Sequence, residues 1–291
     1  MNKKPLVTVI CICYNHESYV TQALNSIIEQ TFKPIEIIIV DDCSGDNSAL
    51  VIKNWLKQFP QVKFLLNTIN LGVTKSFNKA KALSKGDYII DLAADDILME
   101  NAVETLISVF NQHENIAIAY GNAALIDGHN NFIENYYTSD HEGKSGDLYK
   151  SIISQTLKIN SVASMIKTKV IDSLGGYDES LLYEDLDIWI RASRNYPFNY
   201  VDEIIVKKRI IASSLSNQFN KPLNKFSKRL NRSVYIILRK AYHLNRDKSE
   251  NKALIKRVRN EMKKSLKNYN LLLALKYLLL EISLKLNLNL K

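Results

Sequence analysis

Residues 7–42 read VTVICICYNHESYVTQALNSIIEQTFKPIEIIIVDD. Val7–Tyr14 is short and almost wholly apolar, the pattern of a strand covered on both faces. Glu17–Gln30 then carries Val20, Leu24, Ile27 and Ile28 at helical spacing, and Glu36–Val40 is a second buried strand. Strand, helix and strand in this order make a βαβ unit with parallel strands and a right-handed crossover.

The alternation continues outward. A helix is predicted from Asp46 to about Phe59, with Ser44 or Asp46 as its N-cap. Val62–Leu66, Tyr88–Ala93 and Ile116–Ile126 read as strands, and Val73–Ser84 and Asn101–Gln112 as helices. Residues 128–160 are polar, with Gly128, Gly143 and Gly146, and read as a mobile connection. Val162–Ile166 and Val201–Ile211 look like strands, Tyr183–Tyr196 like a helix, and the chain is helical in pattern from Asn217 onward. The fold class is therefore α/β, a mostly parallel central sheet flanked by helices with a helical C-terminal extension. In such sheets ligands bind beyond the strand C-termini. That rule singles out Tyr14–Asn15, Asp41–Asp42 and Asp95–Asp96.

The 291 residues suffice for one large or two small domains, and 46% hydrophobic residues exclude disorder. Cys11, Cys13 and Cys43 cannot all pair, and the first two share one strand face, which favours reduced thiols and a cytosolic setting. The N-terminus lacks the charged start, apolar stretch and small-residue site of a signal peptide. The net charge of +9 is uneven: residues 1–218 hold 20 Lys+Arg and 26 Asp+Glu, residues 219–291 hold 19 and 4. A body of −6 thus carries a tail of +15, the kind of segment that meets an anionic surface. The tail has few aromatics among its cations, so a nucleic-acid partner is not expected.

Two carboxylate pairs at strand ends, Asp41–Asp42 and Asp95–Asp96, suit one hard cation that completes its shell with substrate phosphates. Turn formation and helix capping are the bland alternative for either pair alone. No GxxxxGK[ST] loop or GxGxxG turn is present, which removes the usual phosphate-loop readings.

These segments, with NLGVTKSFNKA at 70–80 and GDYIIDLAADD at 86–96, resemble the inverting family-two glycosyltransferases with the GT-A (Rossmann-like) fold. The resemblance spans roughly residues 5–215. It implies a nucleotide-sugar donor held by Tyr14, Asn15 and Asp42, with Asp42 accepting from the uracil N3–H. It implies Asp95 on the ribose and Asp96 on Mn²⁺ or Mg²⁺. Gly175-Gly176-Tyr177-Asp178 matches the family's GG-[YF]-D loop, placing Gly176 near the donor sugar. Phe77 stands where many relatives have Arg, and Ala93 where many have Asp, with Asp91 two residues further back.

Glu184-Asp185-Leu186-Asp187-Ile188-Trp189-Ile190-Arg191 is the second constellation. Helical spacing puts Asp185 with Trp189 and Asp187 with Arg191. The resemblance makes Asp185 the general base. Glu184 and Trp189 are secondary candidates at the acceptor side; the bland readings are a surface ion pair for Glu184 and Asp187 and a core position for Trp189. Arg209, or Lys208, stands in for the family's missing His as a diphosphate contact.

The expected domains are 1–216, divided into a nucleotide-binding half (1–127) and an acceptor-binding half (128–216), and a basic helical region, 217–291. The expected function is metal-dependent, inverting transfer of a hexosyl or N-acetylhexosaminyl group. The donor is a UDP-sugar, and the acceptor a glycan or lipid-linked hydroxyl in surface polysaccharide synthesis. A dTDP-sugar donor and a catalytically inactive nucleotide-sugar binder are the alternatives. A nucleotidyltransferase fits the 184–191 segment poorly. The basic tail places the protein in the cytoplasm, peripheral at the inner face of an anionic plasma membrane. Its leucine-rich end is too interrupted by Lys276, Glu281 and Lys285 to span a bilayer. Packing of the C-terminal helices on the catalytic domain, or on a second copy as a homodimer, is the competing expectation.

Overall fold

The computed structural model describes residues 4–211 and 225–289. Strand β1 (Val7–Cys13) is buried at every position, because helices cover both faces of the sheet there. It pairs in parallel with β2 (Ile35–Asp41) and with β4 (Tyr88–Ala93), and β2 pairs in parallel with β3 (Lys63–Leu66). Helix α1 (Val20–Ile28) buries Val20, Ala23, Leu24 and Ile27 against this sheet's core. Helices α2 (Ser48–Leu56), α3 (Val73–Lys81) and α4 (Ala102–Gln112) complete the expected alternation. The N-cap of α2 is Asn47, not Ser44 or Asp46; Asp46 instead accepts from the Ser48 N–H with Oδ1 and the Glu17 N–H with Oδ2.

The second half of the sheet is mixed. A two-residue strand β5 (Ile97–Leu98), β6 (Ile118–Ile126), β7 (Phe132–Asn135), β8 (Ser164–Lys167) and β9 (Phe198–Arg209) follow. The order is β3-β2-β1-β4-β8-β6-β9-β5, with β7 on β6. Strand β8 runs antiparallel to both β4 and β6 and separates them. The predicted parallel run therefore holds for β3-β2-β1-β4 and gives way beyond it.

The reading of 128–160 as a mobile connection is corrected: it contains β7 and helix α5 (Tyr149–Ile153), and Leu148, Tyr149, Ile152 and Ile153 are buried. Helix α6 (Thr168–Ser173) precedes the double glycine, and α7 (Glu184–Ser193) carries the second constellation. Helices α8 (Lys225–Leu244), α9 (Lys248–Lys267) and α10 (Leu271–Asn289) form the extension.

The chain divides into two compact units. The first holds the sheet: residues up to 146, 159–177 and 197–211. The second holds 147–158, 178–196 and, among the described residues, 225–289, so α5 and α7 group with the C-terminal helices. The expected boundary at 216/217 lies outside the described residues, as does the segment Ser213–Ser216.

Candidate active site

In the first unit, the ends of β1 and β2 are stapled together. Asn15 sits in the left-handed region (φ 60°), where Asn is tolerated because its short polar side chain bonds locally. Its Oδ1 accepts the Gly45 N–H at 2.7 Å, and its own N–H donates to Ser44 Oγ at 3.0 Å. Ser44 in turn donates its hydroxyl to Asp41 Oδ2 (2.6 Å) and its N–H to Asp41 Oδ1 (3.0 Å). Asp41 is therefore a turn former, the bland reading of that residue. Tyr14, directly after β1, is left 47% exposed beside this scaffold.

Asp42 is buried and fastens a neighbouring loop. Its Oδ1 accepts from Asn67 Nδ2 (2.8 Å), Leu71 N (2.9 Å) and Ser76 Oγ (2.9 Å); its Oδ2 accepts from Gly72 N (2.8 Å). Three of these donors, Leu71, Gly72 and Ser76, come from the NLGVTKS stretch, and Asn67 just precedes it, which explains why that loop enters α3 through Gly72 at φ 83°. A carboxylate offers about four acceptor sites, two per oxygen, and among the described residues Oδ2 takes Gly72 alone.

Asp95 and Asp96 occupy the turn after β4, both buried. Asp96 Oδ1 accepts the Arg209 N–H at 2.7 Å. Arg209 is itself 2% exposed. It donates Nε–H to the Asp95 carbonyl (2.8 Å), an Nη1–H to the Asp127 carbonyl (3.0 Å) and an Nη2–H to Gln22 Oε1 (3.0 Å). Its guanidinium also lies 4.4 Å from the Tyr19 ring centroid. The expectation that Arg209 is a diphosphate contact is corrected: its head points into the protein and braces the aspartate turn. Lys208, the other candidate, donates to Asn160 Oδ1 at 3.3 Å and acts electrostatically on Asp96. Burial, reinforced by the neighbouring Asp95 charge, pushes the Asp96 carboxyl well above the usual range; Lys208 and Arg209 oppose this without cancelling it. His16 Nε2 lies 3.8 Å from Asp95 Oδ2.

Sequence patterns did not reveal Asn78. Its Oδ1 accepts the Tyr177 N–H (3.0 Å) and its Nδ2 donates to the Tyr177 carbonyl (2.8 Å), which clamps the glycine loop. Gly176 has φ 78°, and a Cβ there would stand 2.7 Å from Asn78 Oδ1. Tyr177 stacks on Phe77 at 4.2 Å between centroids and donates its hydroxyl to Asp91 Oδ2. Phe77, the position held by Arg in many relatives, is thus an internal packing residue, and Asp91 serves the same loop.

In the second unit, α7 opens with Glu184 and Asp185, both half-buried, and Asp185 Oδ1 accepts the Leu186 N–H. Trp189 is buried, as its core reading requires. Asp187 is no surface residue: it is 1% exposed. Its Oδ2 accepts from Arg191 Nε (2.7 Å) and its Oδ1 from Lys240 Nζ (2.8 Å). Lys240 also donates to Asp178 Oδ2 at 2.6 Å.

Against known proteins, residues 8–171 match the family described as Glycosyl transferase family 2. The chain belongs to that family. An uncharacterized glycosyltransferase of Methanocaldococcus jannaschii is 31% identical over 211 residues, 71% of either chain. Chondroitin synthase of Escherichia coli is 26% identical over 70% of this chain and 29% of its own length. Among solved structures, S. aureus TarS 1-349 in complex with UDP aligns with TM-score 0.66 at 16% identity, covering 86% of this chain and 70% of that one. The Pyrobaculum calidifontis mannosyltransferase in complex with GDP-Man and Mn²⁺ aligns with TM-score 0.62 at 14% identity, covering 99% and 84%. The shared fold is GT-A.

Asp95 and Asp96, at the aspartate turn, are the residues that would hold a divalent cation in this family-two chain. Among the described residues no group of three or more His, Cys, Asp or Glu side chains is arranged to hold a metal. Two adjacent carboxylates on hard oxygen are a donor set for Mg²⁺ or Mn²⁺, which keep waters and substrate phosphates as their remaining ligands. A cation there would favour the charged carboxylate against the burial and the neighbouring Asp95 charge that raise Asp96.

Proposed function

We propose that this chain transfers a sugar, with inversion, from a UDP-sugar to a hydroxyl of a glycan or lipid-linked acceptor at the cytoplasmic face of a membrane, as a step in surface polysaccharide synthesis. The observation that carries the reading is the grouping of Tyr14, Asp42 and the Asp95–Asp96 turn at the C-terminal ends of β1, β2 and β4 in one unit. Asp42 Oδ2 accepts the uracil N3–H, and Tyr14, exposed at the rim, lies against the base. Asp95 bonds the ribose. Asp96, with Asp95 beside it, would hold Mn²⁺ or Mg²⁺, and the bound cation would supply positive charge to offset that gathering on the leaving diphosphate. The Gly175–Tyr177 loop, held by Asn78, lets backbone approach the donor sugar. Asp185 takes the proton of the acceptor hydroxyl as that oxygen attacks the anomeric carbon. The transferred group is of the hexosyl or N-acetylhexosaminyl class.

A dTDP-sugar presents the same N3–H edge, whereas a guanine does not. Calorimetry with UDP, dTDP and GDP in Mn²⁺, followed by product formation across a panel of nucleotide sugars, tests the reading. UDP is expected to bind in a metal-dependent way and GDP at least ~10-fold more weakly. GDP binding tighter than UDP overturns the donor assignment.

A further inference from the structure

Helix α10 has two apolar faces. One packs Leu273, Ala274, Tyr277, Leu280 and Leu284 into the second unit. On the other, Leu271, Leu275, Leu278, Leu279, Ile282 and Leu286 are 42–68% exposed. At ~100° per residue these six lie within an arc of about 100°. Lys285 borders one edge of that arc; beyond the other stand the exposed Leu272 and then Lys276, and both lysines are exposed. Periodicity alone could not separate the faces, because leucines lie all around the helix.

Helix α9 carries a complementary row. Lys252, Lys256, Arg259, Lys263 and Lys267 follow at spacings of four, three, four and four, and all are exposed. Arg259 donates its Nε–H to Glu281 Oε1 at 2.9 Å, and Lys285 pairs with the same oxygen at 2.7 Å. Glu281 thereby joins the basic row of α9 to the lysine edge of the leucine row. The two rows run side by side on one hairpin, and Tyr269 at its turn is among the most exposed side chains. Not every tail cation belongs to this surface: Arg257 is buried on the Ile152 carbonyl, and Lys240 is held by Asp178 and Asp187.

We propose that the outer surface of the α9–α10 hairpin docks on an anionic lipid leaflet. The leucine row enters the boundary between headgroups and acyl chains, and the α9 row lies over the headgroup phosphates. No described helix is long and apolar enough to cross a membrane, so the hairpin lies on the leaflet rather than through it. Charge decides between this occupant and a second copy. A two-fold contact over the leucines presents the same cationic edges to each other, while an anionic leaflet satisfies both rows at once. The proposal does not depend on which sugar or nucleotide the first unit takes.

The test uses the full chain and vesicles of phosphatidylcholine, with and without phosphatidylglycerol. The protein is expected to sediment with the anionic vesicles, to be released by high salt, and to bind neutral vesicles at least ~10-fold less. A Leu275→Ser/Leu279→Ser/Ile282→Ser variant and a Lys256→Glu/Lys263→Glu variant are each expected to lose anionic-vesicle binding by ~10-fold or more. Both should keep the wild-type melting temperature and oligomeric state, since all five side chains are exposed. The proposal is overturned if the wild type sediments with neither vesicle, or if the leucine variant sediments like the wild type. It is equally overturned if that variant converts a dimer to monomers with vesicle binding intact.

Discussion

Arg209 holds Asp96 from behind. Its backbone N–H reaches Asp96 Oδ1 at 2.7 Å while its Nε–H reaches the adjacent Asp95 carbonyl at 2.8 Å. One residue of β9 thereby fixes both members of the aspartate turn after β4. The remaining guanidinium bonds, to Asp127 and Gln22, tie the same turn to α1 and to the end of β6. Arg209→Met keeps the backbone bond to Asp96 but leaves three oxygens without their donor. Its expected cost is about 2–4 kcal/mol in denaturant unfolding. A change below about 0.5 kcal/mol would show that water replaces the side chain without penalty.

Asp96→Asn retains an oxygen for the Arg209 N–H and replaces a carboxyl whose charged form burial disfavours. The melting temperature is expected to hold or rise, while turnover in Mn²⁺ or Mg²⁺ is lost. EDTA should abolish wild-type activity and added Mn²⁺ restore it. Undiminished activity in excess EDTA contradicts the metal role.

Asp185 and Asp187 stand two residues apart on α7 and predict opposite outcomes. Asp185→Asn is expected to lower kcat by ~10²-fold or more, with donor binding and stability retained. Asp187→Asn removes the buried negative charge between Arg191 and Lys240 and turns one of its two acceptor oxygens into a donor, so it should cost about 3 kcal/mol or more in unfolding experiments. A stable Asp187→Asn enzyme without activity, beside a fully active Asp185→Asn, would reassign the base.

Burial would raise the Asp178 carboxyl, but the Lys240 hydrogen bond and those from Ser180 outweigh it and lower its pKa to about 2. A carboxylate depressed in the folded state stabilises fully above its unfolded pKa of about 3.9 and loses that contribution as pH falls toward 2. Stability should therefore drop between about pH 4 and 2, by on the order of 1–2 kcal/mol after solvent screening is discounted. Lys240→Gln should flatten this drop and lower stability at pH 7. An unaltered acid profile in that variant counts against the pair.

Gly176→Ala places a methyl against Asn78 in a left-handed backbone. The conformation alone costs roughly 1–2 kcal/mol, and the Asn78 clamp must also shift. Lower melting temperature together with a raised donor KM is expected; a change in stability with an unchanged KM would separate the loop from the donor.

Much of this was legible in the chain itself. The βαβ alternation set β1 to β4 because short apolar runs and amphipathic helices are local patterns that few other folds can satisfy. The aspartates at strand ends followed from the same alternation, since topology alone puts those ends on one edge. The polar residues that hold them did not. Asn67, Ser76 and Asn78 are single side chains without periodicity; the NLGVTKSFN stretch marked the region but not which atoms bond.

Tertiary structure decided what depends on partners distant in sequence. Arg209 reads as a spare cation until its guanidinium is seen closed in by the aspartate turn, α1 and Asp127. Asp187 reads as a surface acid until α8 brings Lys240 to it. Strand β8 enters between β4 and β6 from the opposite direction, which no local propensity encodes. In α10 the sequence determined a helix rich in leucine, and packing alone determined which leucines it hides. Burial is a property of the surfaces that meet, and a helix apolar on every side carries no periodic mark of the side its neighbours will cover.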